Sequence, residues 1–260
     1  MTREDQVESF KRLLDIIDEL RTKCPWDKKQ TIESLRKLTI EEVYELGDAI
    51  LNNDLDEVKK ELGDLLLHIL LYSKIGSESE IFDIGDVINN LTDKLIYRHP
   101  HVFGDIEVSN AKEVEQNWEA LKLKEKDRSK RVLGGVPASL PALVKANRIQ
   151  EKARGVGFDW EQKEQVWEKV KEELNEFETE VRANNQVNME HELGDFIFSV
   201  VNAARLYNID PESALERTNQ KFIRRFNYLE DQTLLQGKSL HDMSLQEMDV
   251  YWEKAKKLDR

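Results

Sequence analysis

Apolar residues recur along this chain three or four positions apart, which is the spacing of one face of an α-helix. Two of the clearest stripes are Val7, Phe10, Leu13, Leu14, Ile17 and Leu20, and then Val58, Leu62, Leu65, Leu66 and Ile69. Sustained alternation of apolar and polar residues, the mark of a half-buried strand, is hard to find. The five prolines fall between the periodic segments or in their first turns, where a helix tolerates them. The pattern predicts an all-α fold.

Four blocks of sequence occur twice, and the two sets follow the same order along the chain. The matched blocks are residues 41–45 with 172–176, 61–64 with 192–195, 94–98 with 221–225, and 118–122 with 252–256. Such an ordered repeat indicates two related helical domains in tandem. The segment between the copies contains Gly134, Gly135, Pro137 and Pro141, a composition that breaks helices. We therefore predict a first domain over residues 1–127, a linker over 128–141 and a second domain over 142–260.

Each copy carries four carboxylates whose spacing fits a helical hairpin. In the second copy Glu173 and Glu176 lie one turn apart, as do Glu192 and Asp195. Residues 184–185, both asparagine, suit the turn between the helices, and Glu176 and Glu192 would then both lie about 11 Å from that turn. The first copy repeats this arrangement about Asn52-Asn53, with the acids Glu42, Glu45, Glu61 and Asp64. We expect the four carboxylates of each copy to converge on one hairpin.

Carboxylates gathered in a partly dry groove repel one another unless a cation compensates them. A divalent cation does so, and an oxygen-only set with no nearby His or Cys favours Mg²⁺, with Mn²⁺ as the alternative, over zinc. A glycine lies inside each ExxD motif, at Gly63 and Gly194. Because a glycine within a helix costs about 1 kcal/mol relative to alanine, we expect a neighbouring helix to approach closely at both positions.

Basic and aromatic residues follow the acids in each copy and fit the recognition of a polyphosphate. In the second copy Lys221 and Arg225 lie on the helix after the ExxD motif, and Lys256 lies on the last helix. Cations near a bound metal are what a polyphosphate requires, although each of the three fits an ordinary surface ion pair equally well. Trp252 suits stacking on a base, but helical periodicity favours a core or interface position for it.

The formal net charge of −13 argues against nucleic acid as a partner, since an acidic surface repels a phosphate backbone. No segment approaches the roughly 20 apolar residues of a membrane span, and residues 1–10 do not have the pattern of a signal peptide. Cys24 is the only cysteine, which fits a reducing cytoplasm. These features predict a cytoplasmic protein without nucleic-acid or membrane partners.

The ordered motifs resemble those of the MazG-type all-α nucleoside triphosphate pyrophosphatases. EExxE, a gap of fifteen residues and ExxD is the pattern of that family, and it occurs in both copies. Residues 24–27 (Cys-Pro-Trp-Asp) look like the opening signature of the family's first domain. Segments 134–143 and 156–160 resemble its interdomain connection and the start of its second domain. The resemblance covers nearly the whole chain.

The resemblance implies Mg²⁺-dependent hydrolysis of a ribo- or deoxynucleoside triphosphate such as ATP to a monophosphate and diphosphate. It also implies a homodimer that serves house-cleaning or regulation of nucleotide pools. By position, the metal ligands of the second domain would be Glu173, Glu176, Glu192 and Asp195, and the nucleotide contacts Lys221, Arg225, Trp252 and Lys256. The first domain keeps the matching acids and also Lys94, Arg98, Trp118 and Lys122, but it differs at Tyr97 and His99. Whether it is a weaker catalytic site, a regulatory site or a dimerisation module stays open.

For the reaction that the resemblance implies, we predict metal-assisted in-line hydrolysis at the α-phosphorus, with Glu172 as the group that orients or deprotonates the attacking water. Two other classes of protein fit part of the pattern. A di-iron carboxylate bundle usually has two Glu-x-x-His motifs, and no histidine here has a glutamate three residues before it. A non-catalytic nucleotide and metal sensor, or a helical scaffold, would use the same carboxylates, and release of pyrophosphate distinguishes an enzyme from it.

Overall fold

The structure is a computed structural model, and it describes residues 1–110, 113–114, 117–118, 121–122, 131–160 and 162–258. By its internal contacts the chain divides into two units, Met1–Lys122 and Leu123–Arg260, which follow the order of the two sequence copies. The finer bounds at residues 127 and 142 stay a prediction. Residues 128–130 of the predicted linker lie outside the described residues.

The first unit is organised around a pair of adjacent helices. Over residues 1–110 its helices are α1 (Arg3–Lys23), α2 (Ile32–Leu51), α3 (Leu55–Glu78), α4 (Ile84–Arg98) and the single turn α5 (Pro100–Phe103), with a 3₁₀ turn at Asp27–Lys29. The chain reverses between α2 and α3, which pack against each other along their length, and α1 and α4 both contact α3. The α2/α3 hairpin is therefore the centre of this unit.

The second unit repeats the hairpin with different helices around it. After a 3₁₀ turn at Val132–Gly135 come α6 (Ala142–Arg154), α7 (Lys163–Ala183), α8 (Gln186–Leu206), α9 (Pro211–Leu234), a 3₁₀ turn at Leu240–Asp242, and α10 (Leu245–Leu258). α7 and α8 form the hairpin, α6 contacts α8 and α9, and α10 packs on α9. The described part of the chain contains no strand, so the predicted all-α fold is confirmed. Among its helices, none is both long and apolar enough to cross a bilayer.

Left-handed asparagines form both hairpin turns. Asn53 has a φ of 55° and Asn184 a φ of 52°, a conformation that asparagine adopts more readily than most residues. The side chains of Asp54 and Asn185 then accept a hydrogen bond from the backbone in the first turn of the next helix. The predicted asparagine turns are therefore confirmed, and they set the register of the two helices in each hairpin.

A largely buried arginine anchors the Cys-Pro-Trp-Asp segment in the first unit. Arg21 donates from Nε and Nη2 to the two carboxylate oxygens of Glu78, at 2.8 and 2.9 Å, and from Nη1 to the carbonyls of Asp27 and, at 3.0 Å, Gln30. The hydrogen bond from Arg21 lowers the pKa of Glu78. The turn between α1 and α2 is thus tied to the end of α3.

An equivalent anchor holds the segment before α7 in the second unit. Arg205, on α8, forms an ion pair with Asp159, which lies in the segment 156–160. Its side chain is only 8% exposed, so this ion pair is partly desolvated and stronger than an ordinary surface pair. Two of the three segments that resemble the family's motifs, 24–27 and 156–160, therefore have a structural role here, since each fixes the start of a hairpin.

Each unit buries a small apolar core beside its hairpin. The first core contains Ile17, Leu35, Leu70 and Leu71, and the second contains Val166, Val170 and Ala203. Many other large apolar side chains on these helices stay partly exposed, and α4 contains no buried residue. Each unit therefore leaves large apolar side chains at its surface.

Gly63 and Gly194 lie on open surfaces of α3 and α8. A methyl group built at either position meets no heavy atom within 4 Å outside its own stretch of helix. The expectation that a neighbouring helix approaches closely at these glycines is therefore wrong within each unit. The reason is that both glycines point away from the helices packed in the same unit.

We expect Gly63→Ala and Gly194→Ala each to raise the free energy of unfolding by about 1 kcal/mol, because alanine restricts the unfolded chain and meets no obstacle in the helix. Gly157→Ala is the matched control: it also has open space, but its φ of 88° makes the same change destabilising. Urea unfolding followed by circular dichroism measures all three variants. Destabilisation by the two helical substitutions would show that these faces are covered in solution.

Candidate metal and nucleotide site

The hairpin of the first unit brings three of its four predicted acids together. Glu42 and Glu45 lie one turn apart on α2, Glu61 lies on α3, and one carboxylate oxygen of each is within 4.8 Å of the other two. Glu61 is only 1% exposed, and when the neighbouring acids are ionised its buried Oε2 has no hydrogen-bond donor among the described residues. A buried oxygen in this state is costly unless a ligand satisfies it.

Asp64, the fourth predicted acid, acts on this group electrostatically. Burial raises the pKa of Glu42, and the charges of Asp64, Glu45 and Glu61 raise it further. The Asp64 carboxylate is nevertheless not one of the three whose oxygens converge. The first hairpin thus concentrates negative charge around one buried carboxylate, that of Glu61.

The hairpin of the second unit repeats this arrangement with a different burial. Glu173 and Glu176 on α7 and Glu192 on α8 each place an oxygen within 4.8 Å of the other two. The buried member here is Glu173, at 7% exposure, whereas Glu176 is exposed and Glu192 half-buried. Burial raises the pKa of Glu192, and the charges of Glu176, Asp195, Glu173 and Glu180 add to the increase. Asp195, like Asp64, lies outside the converging three.

One lysine pairs with the buried acid of each group, and sequence reasoning missed both lysines. Lys60 Nζ lies 3.1 Å from Glu61 Oε1, and Lys169 Nζ lies 2.6 Å from Glu173 Oε1. Each ammonium group also contacts a second, more exposed acid of its own helix. These ion pairs offset part of the negative charge that the converging carboxylates create.

Helical spacing is the signal that could have identified Lys169 and Glu180, two charged residues that act on the acids of the second unit. Lys169 lies four residues before Glu173, and Glu180 lies four residues after Glu176, so both share the face of α7 that carries the acids. When the repeated acid blocks are aligned, the first copy has Leu38 and Ala49 at the matching positions. Comparison of the copies for differences, as well as for identities, would therefore have indicated Lys169 and Glu180.

Both acid groups have the composition of a site for a hard divalent cation. Their converging donors are carboxylate oxygens only, which Mg²⁺, Mn²⁺ and Ca²⁺ prefer to nitrogen or sulfur. The unsatisfied Oε2 of Glu61 provides an independent indication in the first unit, because a cation would supply its missing partner. The residues present therefore fit the metal that the sequence predicted.

A cation and three aromatic rings meet between α9 and α10 in the second unit. Arg225 Cζ lies 5.8 Å from the ring centroid of Trp252, within the range of a cation–π interaction. Phe222 also lies against Trp252, with 5.0 Å between ring centroids, and it stacks on Phe226 at 6.2 Å. The structure thus brings together Arg225 and Trp252, two of the four predicted nucleotide contacts.

The other two predicted nucleotide contacts lie on neighbouring turns of the same helices. Lys221 is half-buried one turn before Arg225 on α9, and Lys256 on α10 forms an ion pair with Glu253. The predicted water-orienting acid, Glu172, is exposed on α7 and lies 2.9 Å from Lys169. Since α9 also contacts α8, acids and cations belong to one helical unit, but the individual roles of these residues stay predictions.

An all-α chain with two acid-lined helical hairpins defines the class of the all-α nucleotide pyrophosphatases. Comparison with protein families agrees with this class. The sequence profile of the MazG nucleotide pyrophosphohydrolase domain matches residues 30–103 and 161–229, together more than half of the chain. The chain therefore belongs to the MazG nucleotide pyrophosphohydrolase family, and both of its halves carry the family's domain.

Individual relatives align along almost the full length of the chain. The nucleoside triphosphate pyrophosphohydrolase/pyrophosphatase MazG of Thermotoga maritima is 44% identical over 250 residues, which are 95% of each chain. The nucleoside triphosphate pyrophosphohydrolase of Escherichia coli K12 is 39% identical over 253 residues, 95% of this chain and 96% of that protein. The uncharacterized protein YabN of Bacillus subtilis is 48% identical over 255 residues, 96% of this chain and 52% of YabN. The predicted family and class of enzyme are confirmed.

We expect Mg²⁺ to stabilise the protein, and to do so more at neutral pH than near pH 5, because protons compete with the cation at low pH. The raised pKa values of Glu42 and Glu192 mean that metal-free protein gains stability from protonation of these acids, and loses that stability as the pH rises through those values. At a hundredfold excess over the dissociation constant, one bound ion should add about 2.7 kcal/mol. Thermal unfolding with Mg²⁺ or EDTA measures this difference.

Two substitutions test whether Mg²⁺ stabilises the protein by binding to the acids of the hairpins. Glu45→Gln should remove the contribution of the first unit and Glu176→Gln that of the second, and the double variant should not respond to Mg²⁺. A double variant that still responds as strongly as the unmodified protein would place the cation elsewhere.

Proposed function

We propose that this chain hydrolyses ribo- or deoxynucleoside triphosphates to the monophosphate and diphosphate with Mg²⁺, and that its second unit carries out the reaction. The observation that carries the proposal is the convergence of Glu173, Glu176 and Glu192 within 4.8 Å, in a chain of the MazG family. The printed names of the Thermotoga maritima and Escherichia coli relatives support the substrate class. Mn²⁺ is the alternative ion, since it accepts the same oxygen ligands.

The acids of the second hairpin hold the metal. When bound, Mg²⁺ supplies charge compensation for the triphosphate and lowers the pKa of a coordinated water. Glu173, Glu176 and Glu192 are the direct ligands, and Asp195 adds its charge from outside the three. Because Glu173 is 7% exposed, packing restricts its side chain, so that this ligand is positioned before substrate arrives.

Glu172 is the acid that takes a proton from the attacking water. It lies beside the ligand Glu173 on α7, yet it is exposed and outside the converging three. The Lys169 ammonium, 2.9 Å away, orients the Glu172 carboxylate. A partly fixed carboxylate next to a metal ligand is suited to the role of a general base.

The cations of α9 and α10 recognise the phosphates. Arg225 presents a guanidinium fork suited to phosphate oxygens, and Lys221 and Lys256 add point charges on neighbouring turns. Positive charge aimed at the departing diphosphate stabilises the transition state more than the ground state. Trp252, half-buried against Phe222 and Arg225, provides a flat surface for the base.

The first unit also holds a divalent cation in this proposal, through Glu42, Glu45 and Glu61, and Asp64 adds its charge from outside the three. The buried, unsatisfied Oε2 of Glu61 supports this assignment. We place the protein in the cytoplasm, on the single cysteine, and assign it to house-cleaning or regulation of nucleotide pools, on its family. The charge of −13 supports small anionic nucleotides held through metal as partners, and not nucleic acid.

We expect Glu176→Gln to lower kcat by at least about a thousandfold, because loss of a metal ligand removes several kcal/mol of transition-state stabilisation. Ion-exchange chromatography of the products from each common NTP and dNTP, with Mg²⁺ and with EDTA, measures the reaction. Glu178→Gln is the matched control on the same helix. Among the described contacts Glu178 pairs only with Arg182, at 2.8 Å, and its loss should leave kcat within about twofold.

Other product patterns contradict the proposal in different ways. Release of NDP and phosphate would mean that cleavage occurs at a different phosphorus. Nucleotide binding without any product from the whole panel would favour a sensor over an enzyme.

The homodimer is supported by the apolar surface of α4. This helix is amphipathic, yet Val87, Ile88, Leu91 and Leu95 on its apolar side are 36 to 46% exposed. Leu91→Lys should therefore shift the protein toward a monomer without loss of helix content, whereas the adjacent Asn90→Lys, with the same added charge, should not. Sedimentation velocity measures the assembly state, and a monomeric unmodified protein would contradict the proposed dimer.

A further inference from the structure

The second unit contains a buried glutamine that the proposed function does not use. Gln150 lies on α6 and is only 7% exposed. Its side-chain Nε2 donates a hydrogen bond of 2.8 Å to the main-chain carbonyl oxygen of Phe198, on α8. Because a carbonyl only accepts, this contact also fixes which end of the amide is the nitrogen. The side chain therefore joins two helices through one oriented, buried hydrogen bond.

The position of Phe198 on α8 connects this hydrogen bond with the acids of the second unit. Phe198 follows Asp195 by three residues and Glu192 by six, which corresponds to roughly 5 and 9 Å along the helix axis. All three residues lie within one continuous helix, Gln186–Leu206. A shift or rotation of α8 at Phe198 would therefore move the Glu192 carboxylate as well.

The helix that carries Gln150 contacts both helices that carry predicted site residues after the hairpin turn. It contacts α8, on which Glu192 lies, and α9, on which Lys221 and Arg225 lie. A helix in this position influences the distance between the acids and the cations, provided that its own place on α8 is fixed. The hydrogen bond from Gln150 to Phe198 supplies such a fixed point.

The first unit holds its acid helix at points farther from the acids. Among the described residues, the polar side-chain contacts from α1 reach α3 at Lys74 and Glu78. The nearer of these, Lys74, lies ten residues after Asp64, whereas Phe198 lies three residues after Asp195. A polar contact close to the acids is therefore a feature of the second unit.

The stability of the fold does not require an amide at Gln150. Its Oε1 is buried and has no hydrogen-bond donor among the described residues, and such an oxygen destabilises a folded protein. The carbonyl of Phe198 lies inside α8, so the helical N–H four residues later satisfies it with or without the glutamine. An apolar side chain of similar size would leave no polar group unpaired. An apolar contact does not specify one register, however, because it is not directional.

We propose that Gln150 is a positioning residue of the second unit, which fixes α8 so that Glu192 converges with Glu173 and Glu176. Of these three acids only Glu192 lies on α8, so its place in the group depends on how α8 sits against its neighbours. The inference rests on the proposed function in that the second unit holds Mg²⁺ and hydrolyses the nucleotide. It assigns to that site a residue that contacts neither the converging acids nor the predicted nucleotide contacts directly.

Gln150→Met in the full-length chain tests the proposal, because methionine fills a similar volume without polar groups. In EDTA its urea midpoint should equal or exceed that of the unmodified protein, since the substitution removes the unsatisfied oxygen. Its kcat for the best substrate of the nucleotide panel should nevertheless fall by at least about tenfold, because small displacements of catalytic groups are costly. Unchanged or higher stability together with lower activity is a combination that a merely structural role would not produce.

Binding of Mg²⁺ alone provides a readout that does not depend on turnover. Isothermal titration in a Glu45→Gln background, which removes the proposed site of the first unit, measures the affinity of the second unit. Gln150→Met should weaken this affinity by about tenfold, because residues that orient metal ligands have effects of that size. Ser199→Ala is the matched control. Its hydroxyl is also buried on α8, but it donates to the carbonyl of Phe196 in the same helix, at 2.8 Å, so affinity and kcat should stay within about twofold.

A second variant keeps the test decisive if Gln150→Met disturbs the packing. Gln150→Glu retains the shape of glutamine, but its ionised carboxylate cannot donate to the carbonyl of Phe198, whereas the protonated acid can. Burial raises the pKa of a carboxylic acid. The activity of Gln150→Glu relative to the unmodified protein should therefore rise as the pH is lowered from about 8 to about 6. A constant ratio across this range would contradict the role of the donated hydrogen bond.

The outcomes separate this inference from the proposed function. Unchanged Mg²⁺ affinity and kcat in Gln150→Met would overturn the positioning role and leave the proposed hydrolysis standing, and a lower urea midpoint in that case would assign Gln150 to stability alone. Weaker Mg²⁺ binding by Gln150→Met, in a chain that hydrolyses no nucleotide, would support the positioning of Glu192 and contradict the proposed function. No Mg²⁺ binding in the Glu45→Gln background would overturn both.

Discussion

The mutual repulsion of three carboxylates within 4.8 Å is the constraint on which each unit depends. Two helices that carry these acids would separate if nothing else fixed them. The hairpin turn at Asn53 or Asn184 fixes the register, and the cap after it begins the next helix without a mobile loop. The lysine on each buried acid offsets part of the charge, and the apolar core beside the hairpin holds the helices together.

The two copies meet this constraint with opposite helices of the hairpin. In the first unit the buried acid is Glu61, on the second hairpin helix, and its Oε2 has no donor among the described residues. In the second unit the buried acid is Glu173, on the first hairpin helix. Each group also contains one exposed and one half-buried acid, so both groups are open to solvent on one side. A bound cation would therefore have one ligand fixed by packing and open coordination positions on the solvent side in either unit, as a bulky triphosphate requires.

How much of this structure the sequence predicts depends on how far apart along the chain the interacting residues lie. The helices, the asparagine turns and the convergence of Glu173 and Glu176 all follow from spacings of a few residues, which a helix converts directly into geometry. Lys169 has such a spacing too, but a lysine one turn from a glutamate is so common that it carries little information alone. The bond from Arg21 to Glu78 joins residues 57 apart, and no local pattern indicates it. The glycine interpretation failed because a helical glycine has the same sequence signal whether a neighbour is near or absent.

The number of residues between the acid block and the cation block also differs between the two units. The segment that leads from the acid blocks to the cation blocks is shorter in the second copy, residues 195–221, than in the first, residues 64–94. The difference in length lies near the end of the second hairpin helix. In the first unit α3 continues to Glu78. In the second unit α8 ends at Leu206, which aligns with Ile75, so α8 ends almost one turn earlier than α3. The shorter α8 starts the cation helix of the second unit fewer residues after the acids than α4 starts in the first. The longer α3 instead extends to the residue that Arg21 holds, Glu78, so the extra turn of the first unit serves to fix the Cys-Pro-Trp-Asp segment, and the cation block that follows has His99 where the second copy has Phe226.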